Sequence, residues 1–186
     1  LYLPSYKDVY NFKTKNKVFL DKFSKKLCGK YRTGHFEGVL NVINRFLEII
    51  KPSYIYLGLK DFQQLVLIKK HILKRKINTK VIKCKTIREK NGVACSTRNY
   101  SLNKKQIKTA SNIYFYLLKL KKKIRKNYKS YKIKSIKKDL FALGADKIDY
   151  IENINTDKLK KTKKLKNNFK LFVAYYLKET RLIDNI

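Results

Sequence analysis

Between Gly34 and Cys84 the apolar residues switch back and forth between two spacings, and this switching narrows the folds open to the chain. Val39, Leu40, Ile43, Phe46, Leu47 and Ile50 recur every three to four residues, the spacing of a single helical stripe. Pro52 cannot continue that helix, because it has no amide hydrogen and its ring clashes with the turn before it. Ser53–Leu57 is a short β-rich run closed by Gly58. Helical spacing returns with Leu65, Ile68 and Ile72 and stops at Asn78, and Lys80–Cys84 then alternates like a strand. Helix, strand, helix, strand predicts an α/β fold: a parallel sheet with crossover helices. In open sheets of this kind ligands bind at the carboxyl ends of the strands, which points to the turn from Leu57 to Gln63.

After Cys84 the rhythm changes. A turn is predicted at Asn91-Gly92, a long helix over Lys104–Lys126, and a shorter one over Ile133–Leu143 ending at Gly144. Strands are predicted at Lys147–Ile151, Leu171–Tyr176 and Arg181–Ile183, with a loop over Thr156–Asn168. Before Gly34, Leu1–Pro4 reads as the end of a strand and Lys17–Leu20 as a further strand. We expect two domains, over residues 1–86 and 87–186, the second a small α+β domain.

Lys+Arg 47 against Asp+Glu 13 gives a net charge of +34, a surface that attracts polyanions at low salt. Most of the excess is Lys beside abundant Ile, Asn and Tyr, residues that share A/T-rich codons. The runs Lys119–Lys126 and Lys158–Lys166 carry no recognition motif, so a solvated face is expected there rather than a specific nucleic-acid site. Cys28, Cys84 and Cys95 are odd in number and form no CxxC, so reduced, structural thiols are expected, with no disulfide framework and no zinc site. No apolar run approaches the roughly 20 residues of a membrane helix, and the start is unlike a signal peptide. A soluble, cytoplasmic protein is expected. With no Met and Leu1 first, the chain is also expected to lack an N-terminal portion. There is no GxSxG elbow, Walker A sequence or GxGxxG fingerprint.

Three constellations carry chemistry. In Gly58-Leu59-Lys60-Asp61-Phe62-Gln63-Gln64, Gly58 would let the chain turn and a ligand approach, and Asp61 would cap the next helix. The helix amides and Lys60 suit a phosphate; Gln63 and Gln64 suit hydroxyl or carboxylate groups. An ordinary capping turn is the alternative. In Cys95-Ser96-Thr97-Arg98-Asn99, two hydroxyls beside an arginine fork can grip a polyphosphate, where the alternative is a surface loop. In Arg32-Thr33-Gly34-His35-Phe36-Glu37-Gly38-Val39, Arg32 and His35 flank a glycine ahead of a helix, as an anion or acid–base site or as a plain helix start. His71, on a lysine-rich helix, is expected at the surface.

In this order the three constellations resemble the pantothenate synthetase family (pantoate–β-alanine ligases). Arg32–Val39 resembles its Arg-Pro-Gly-His-Phe-x-Gly-Val, and Gly58–Leu65 its Gly-Glu-Lys-Asp-(Tyr/Phe)-Gln-Gln-Leu. Thr86–Glu89 with Asn91–Asn99 resembles Val-Arg-Glu…Asp-Gly-Leu-Ala-x-Ser-Ser-Arg-Asn, and Arg181–Asn185 matches the closing Arg-Leu-Ile-Asp-Asn. The resemblance implies the later half of a Rossmann-like nucleotidyltransferase domain followed by the small C-terminal domain. It implies that ATP, with Mg2+, activates pantoate as pantoyl adenylate, and that β-alanine then displaces AMP. It places ATP on Gly58, Leu59, Lys60, Asp61, Ile87 (through its backbone), Cys95, Ser96, Thr97 and Arg98. Of these, Lys60 and Arg98 would stabilise the developing charge. Pantoate falls at Gln64, and the family suggests a homodimer. Residues 95–98 are similar to the mobile signature loop of class I tRNA synthetases.

The departures are Leu59 for Glu, Cys28 where Glu is common, Thr33 for Pro, and Cys95 and Thr97 for Leu/Met and Ser. The family's early His-x-Gly-His and pantoate-binding Gln have no counterpart, so the chain alone is expected to be inactive. The rival readings are a degenerate nucleotide-binding remnant and a basic nucleic-acid-binding protein.

Overall fold

Ser5 opens the first helix, α1 (Tyr6–Tyr10), with a reciprocal cap: its hydroxyl accepts from the Asp8 amide at 3.3 Å, and the Asp8 carboxylate accepts from the Ser5 amide at 2.7 Å. The structure is a computed structural model that describes residues 3–126, 132–161 and 168–186. Its backbone divides into two compact units, one ending at Lys85 and one from Thr86 to Ile186.

In the first unit, residues 11–21 form no helix or strand, and a 3-10 turn (Lys22–Lys25) follows. The strand expected at Lys17–Leu20 is absent. Its backbone bonds to side chains: the Phe19 amide donates to His71 Nδ1 at 3.2 Å, and the Lys17 carbonyl accepts from Arg75 Nε at 2.7 Å. Helix α2 (Cys28–Tyr31) is one turn. Helix α3 (His35–Ile50) buries Phe36, Leu40, Asn44 and Leu47, leaves Ile43 and Phe46 half-buried, and exposes Ile50. It ends with Lys51 in the left-handed region (φ 48), just before Pro52. Strand β1 (Tyr54–Gly58), helix α4 (Phe62–Lys74) and strand β2 (Lys80–Cys84) follow. The strands pair in parallel, Tyr54 opposite Lys80 and Gly58 opposite Cys84, as the alternation of periods predicts. Leu65, Leu67, Ile68 and Ile72 of α4 are buried.

His71, expected at the surface, is 0% exposed. Asn44 supplies the reason: its Oδ1 lies 2.9 Å from His71 Nε2, and its Nδ2 donates to the Asn16 carbonyl at 2.7 Å. With both ring nitrogens bonded, the histidine can be buried without an unmet polar atom.

In the second unit, helix α5 (Lys104–Lys126) starts at Asn103, which exchanges amide-to-side-chain bonds with Gln106, both at 2.9 Å. Helix α6 (Ile133–Ala142) ends ahead of Gly144. Strands β3 (Lys147–Asn155), β4 (Lys160–Lys161), β5 (Phe169–Leu177) and β6 (Thr180–Asn185) form an antiparallel sheet of order β4-β3-β5-β6. Ala110, Ile113 and Leu117 of α5 and Ile136 and Leu140 of α6 share one core with Ile151, Leu171 and Val173 of the sheet. Strand β3 runs past the expected Ile151 because β5 supplies partners for Glu152–Asn155. The loop expected at 156–168 contains β4; residues 162–167 lie outside the described residues. Of the α5 lysines, Lys119, Lys122 and Lys123 are exposed as expected. Lys121 is half-buried, 5.8 Å from the Phe169 ring centroid, and burial with Arg125 and Lys170 nearby lowers its pKa to about 8.

Candidate active site

At the carboxyl end of β1, the chain leaves Gly58 through a 3-10 turn (Leu59–Asp61) and enters α4 at Phe62. Two expectations are corrected here. Gly58 adopts an ordinary extended conformation (φ −68, ψ 133), so the turn does not need glycine's freedom. A Cβ there would meet nothing within 4 Å, so the strand end is open to an approaching group. Asp61 stands at the cap position of α4 with φ −94 and ψ 49, yet its side chain makes no capping bond and is exposed. Lys60 and Gln64 are half-buried.

Gln63 is 5% exposed and turned toward the protein. Its Oε1 accepts from the Cys28 amide at 3.1 Å, and its Nε2 donates to the carbonyls of Phe23 (2.8 Å) and Lys26 (2.7 Å). Of the two glutamines, therefore, Gln63 fixes the segment around the start of α2, while Gln64 is half-buried. Nearby in sequence, Arg32 Nη1 donates to His35 Nε2 at 2.8 Å. An accepting Nε2 puts the ring proton on Nδ1, and Gly34 (φ 74) holds the turn between the two residues.

In the second unit a tight hairpin carries the other loop. Arg88 bridges Ala94, the Gly92 amide donates to the Glu89 carbonyl at 2.8 Å, and the Cys95 amide donates to the Ile87 carbonyl at 3.0 Å. Gly92 takes φ +84, and a Cβ there would stand 2.4 Å from the Tyr114 ring, so this position does demand glycine. Past the hairpin, Ser96 Oγ accepts from the Arg98 amide at 3.3 Å and starts a 3-10 turn over Thr97–Ser101. Cys95, Thr97 and Arg98 are exposed, Ser96 is half-buried and Ile87 is 70% exposed. Asn99 Nδ2 donates to the Ala94 carbonyl at 3.1 Å, while its buried Oδ1 has no partner. The arrangement is a hydrogen-bonded hairpin followed by a serine, a threonine and an arginine.

Comparison with known proteins identifies the family of the whole chain. The sequence profile of the family described as Pantoate-beta-alanine ligase matches residues 1–186. The pantothenate synthetase of Flavobacterium psychrophilum is 35% identical over the whole chain, which spans 67% of that relative. The chain belongs to the pantoate–β-alanine ligase family. The bifunctional pantoate ligase/cytidylate kinase of Prochlorococcus marinus is 37% identical, again over the whole chain, which spans 37% of that relative. The crystal structure of pantothenate synthetase from Thermus thermophilus superposes with a TM-score of 0.84 at 26% identity, covering 98% of this chain and 67% of that one. The ligase of Francisella tularensis, crystallised with beta-gamma ATP and beta-alanine, gives 0.73 at 34% identity, covering 97% and 61%.

The family's departures fall in contrasting settings. Leu59 is half-buried and Cys28 buried, while Cys95 is an exposed free thiol. Sequence reasoning missed Asp149 and used Arg88, Arg181 and Asp184 only as motif letters. Arg88 Nη1 and Nη2 donate to the Asp184 carboxylate at 2.7 and 2.9 Å. Burial works against the Arg88 charge, but the bonds and charge of Asp184 outweigh it and raise the pKa. Arg181 Nε donates to Asp149 at 2.8 Å. The available signal was scarcity: with 13 acidic residues against 47 basic ones, each carboxylate in a motif is a candidate anchor. Among the described residues, no three His, Cys, Asp or Glu side chains gather into a set that could hold a metal ion. Nor, among them, is any helix long and apolar enough to cross a membrane.

Proposed function

We propose that this chain is the ATP-handling part of a pantothenate synthetase. In the first step a carboxylate oxygen of pantoate attacks the α-phosphorus of ATP, and the bond to pyrophosphate breaks. In the second, the amine of β-alanine attacks the acyl carbon of the pantoyl adenylate, giving pantothenate and AMP. Neither step needs a protein nucleophile; both need positioning and positive charge at the phosphates. The observation that carries the reading is the family match over residues 1–186, which contains both turns.

In this reading Lys60 neutralises phosphate charge at the open end of β1, and Gln64, one helical turn on, bonds pantoate. Gly58, Leu59, Asp61 and the backbone of Ile87 contact the nucleotide. Cys95, Ser96, Thr97 and Arg98 form the second phosphate loop, and Arg98 supplies a fixed fork. Arg32 and His35 belong to the substrate side. Magnesium takes phosphate and water oxygens and needs no protein cage, so it arrives on the nucleotide. The working enzyme is a cytoplasmic homodimer, and catalysis requires residues beyond these 186. Domains over 1–86 and 87–186 divide the substrate-binding work from the C-terminal loop.

The test is pantoate-dependent exchange between ATP and pyrophosphate, in this chain and in one extended to the relatives' length. Lys60→Ala and Arg98→Ala should each lower exchange by about 100-fold or more, the usual size for loss of one charge-stabilising donor. Exchange that survives either change removes that residue from the mechanism. No exchange in either chain would favour the degenerate nucleotide-binding remnant.

A further inference from the structure

Strand β6 carries no residue that the proposed reaction uses, yet two arginines of the 87–99 segment end on it. Arg88 grips Asp184 with both prongs, at 2.7 and 2.9 Å, and the same Nη1 donates to the Gly92 carbonyl at 3.0 Å. One guanidinium thus closes the hairpin and ties it to β6, while its flat face lies 4.2 Å from the Tyr114 ring centroid. At the other end of the loop, Arg98 Nη1 donates to the Arg181 carbonyl at 2.9 Å. Arg181 is itself locked, its Nε on Asp149, with the two side chains 11% and 2% exposed. The ladder to β5 fixes both anchor points, Asp184 opposite Val173 and Arg181 opposite Tyr176.

A partly buried ion pair is a weak source of net stability, because desolvation offsets much of the attraction. Its clearer use is geometric, since the two-pronged bond allows few orientations. We infer that β6 is the scaffold of the nucleotide loop, and that Arg88 and Asp184 are positioning residues that set where Arg98 stands. The inference rests on the reading of residues 95–98 as a phosphate loop.

Two measurements on the whole chain separate the two ideas. The first is amide hydrogen exchange, for Asp184→Asn, which keeps the side-chain shape, and for Asp184→Ala. The Cys95 amide should exchange at least about tenfold faster, while the β3–β5 ladder stays within about twofold. An unchanged Cys95, or loop and ladder rising together, overturns the scaffold. The second is ATP affinity in a double-mutant cycle. Arg98→Ala should weaken binding about tenfold or more in the parent chain but less than about twofold in Asp184→Ala, because the arginine is already misplaced there. Equal factors in both backgrounds overturn the positioning role and leave the phosphate loop standing. A loosened loop with no effect of Arg98→Ala on the parent supports the scaffold and removes the phosphate reading.

Discussion

Lowering the pH from about 7.5 to about 5.5 is expected to destabilise the first unit through His71. Its Nδ1 accepts from the Phe19 amide, so the ring proton sits on Nε2 and is given to Asn44 Oδ1. The side chain is 0% exposed. A second proton on Nδ1 would face the Phe19 N–H, donor against donor, in a site without solvent. Burial first, and then Arg75, lower the pKa of His71 from 6.5, while Glu48 pulls the other way. The unfolded chain therefore binds the proton more readily than the folded one. Stability is complete above the unfolded value of about 6.5, declines as the pH falls from there toward the lowered folded value, and levels off below it. One proton limits the slope to about 1.4 kcal/mol per pH unit. Against a usual total of about 5–15 kcal/mol, that is readily measured. Urea unfolding followed by circular dichroism at stepped pH gives the midpoints. In His71→Gln the amide can still donate to Asn44, but nothing titrates, so the decline should flatten. His35 is present in both chains, so the difference isolates His71. The same pH dependence in the two proteins would refute the reasoning.

Asn44→Leu takes the acceptor from His71 Nε2 and a donor from the Asn16 carbonyl, which keeps the Thr14 hydroxyl at 3.2 Å. A buried donor left unmet costs about 1–3 kcal/mol, and with the weakened carbonyl a total loss of about 2–4 kcal/mol is expected in urea unfolding. A loss under about 1 kcal/mol would contradict the burial argument. Gly92→Ala must hold a side chain at φ +84 and push the Tyr114 ring away from a Cβ at 2.4 Å. It should cost about 2–4 kcal/mol and loosen the Cys95 amide by hydrogen exchange; parent-like stability would show that the hairpin can rearrange.

The parts of the fold legible in the sequence share a local cause. The stripe from Val39 to Ile50, the break at Pro52 and the alternation at Lys80–Cys84 are properties of neighbours, so α3, β1 and β2 follow from spacing. The long helix was legible for the same reason, and its bounds, Lys104–Lys126, are those expected. Reading failed where a residue's partner is far along the chain. Lys17–Leu20 looks like a strand in isolation, but its backbone is met by the side chains of His71 in α4 and of Arg75 just after it. His71 sits among lysines, and only Asn44 and Phe19, 27 and 52 positions away, make its burial tolerable. The strand expected from spacing stopped at Ile151, and Asn153 and Asn155 lie in β3 because β5 completes their ladder.

The candidate site divides the same way. Sequence alone determined which residues we propose for the chemistry: Lys60 and Gln64 after a strand, and Ser96, Thr97 and Arg98 after an Asn-Gly turn. Type and order carry that proposal, because a phosphate needs cations and donors on a turn. Tertiary structure decided how those residues are held. It turned Gln63 inward, left Asp61 without a capping bond, and hung the Arg88 hairpin on Asp184, 96 residues away. Periodicity is written in adjacent residues and survives in any stretch of chain. A two-pronged ion pair exists only after folding has brought both partners to one place, and no local pattern encodes that encounter.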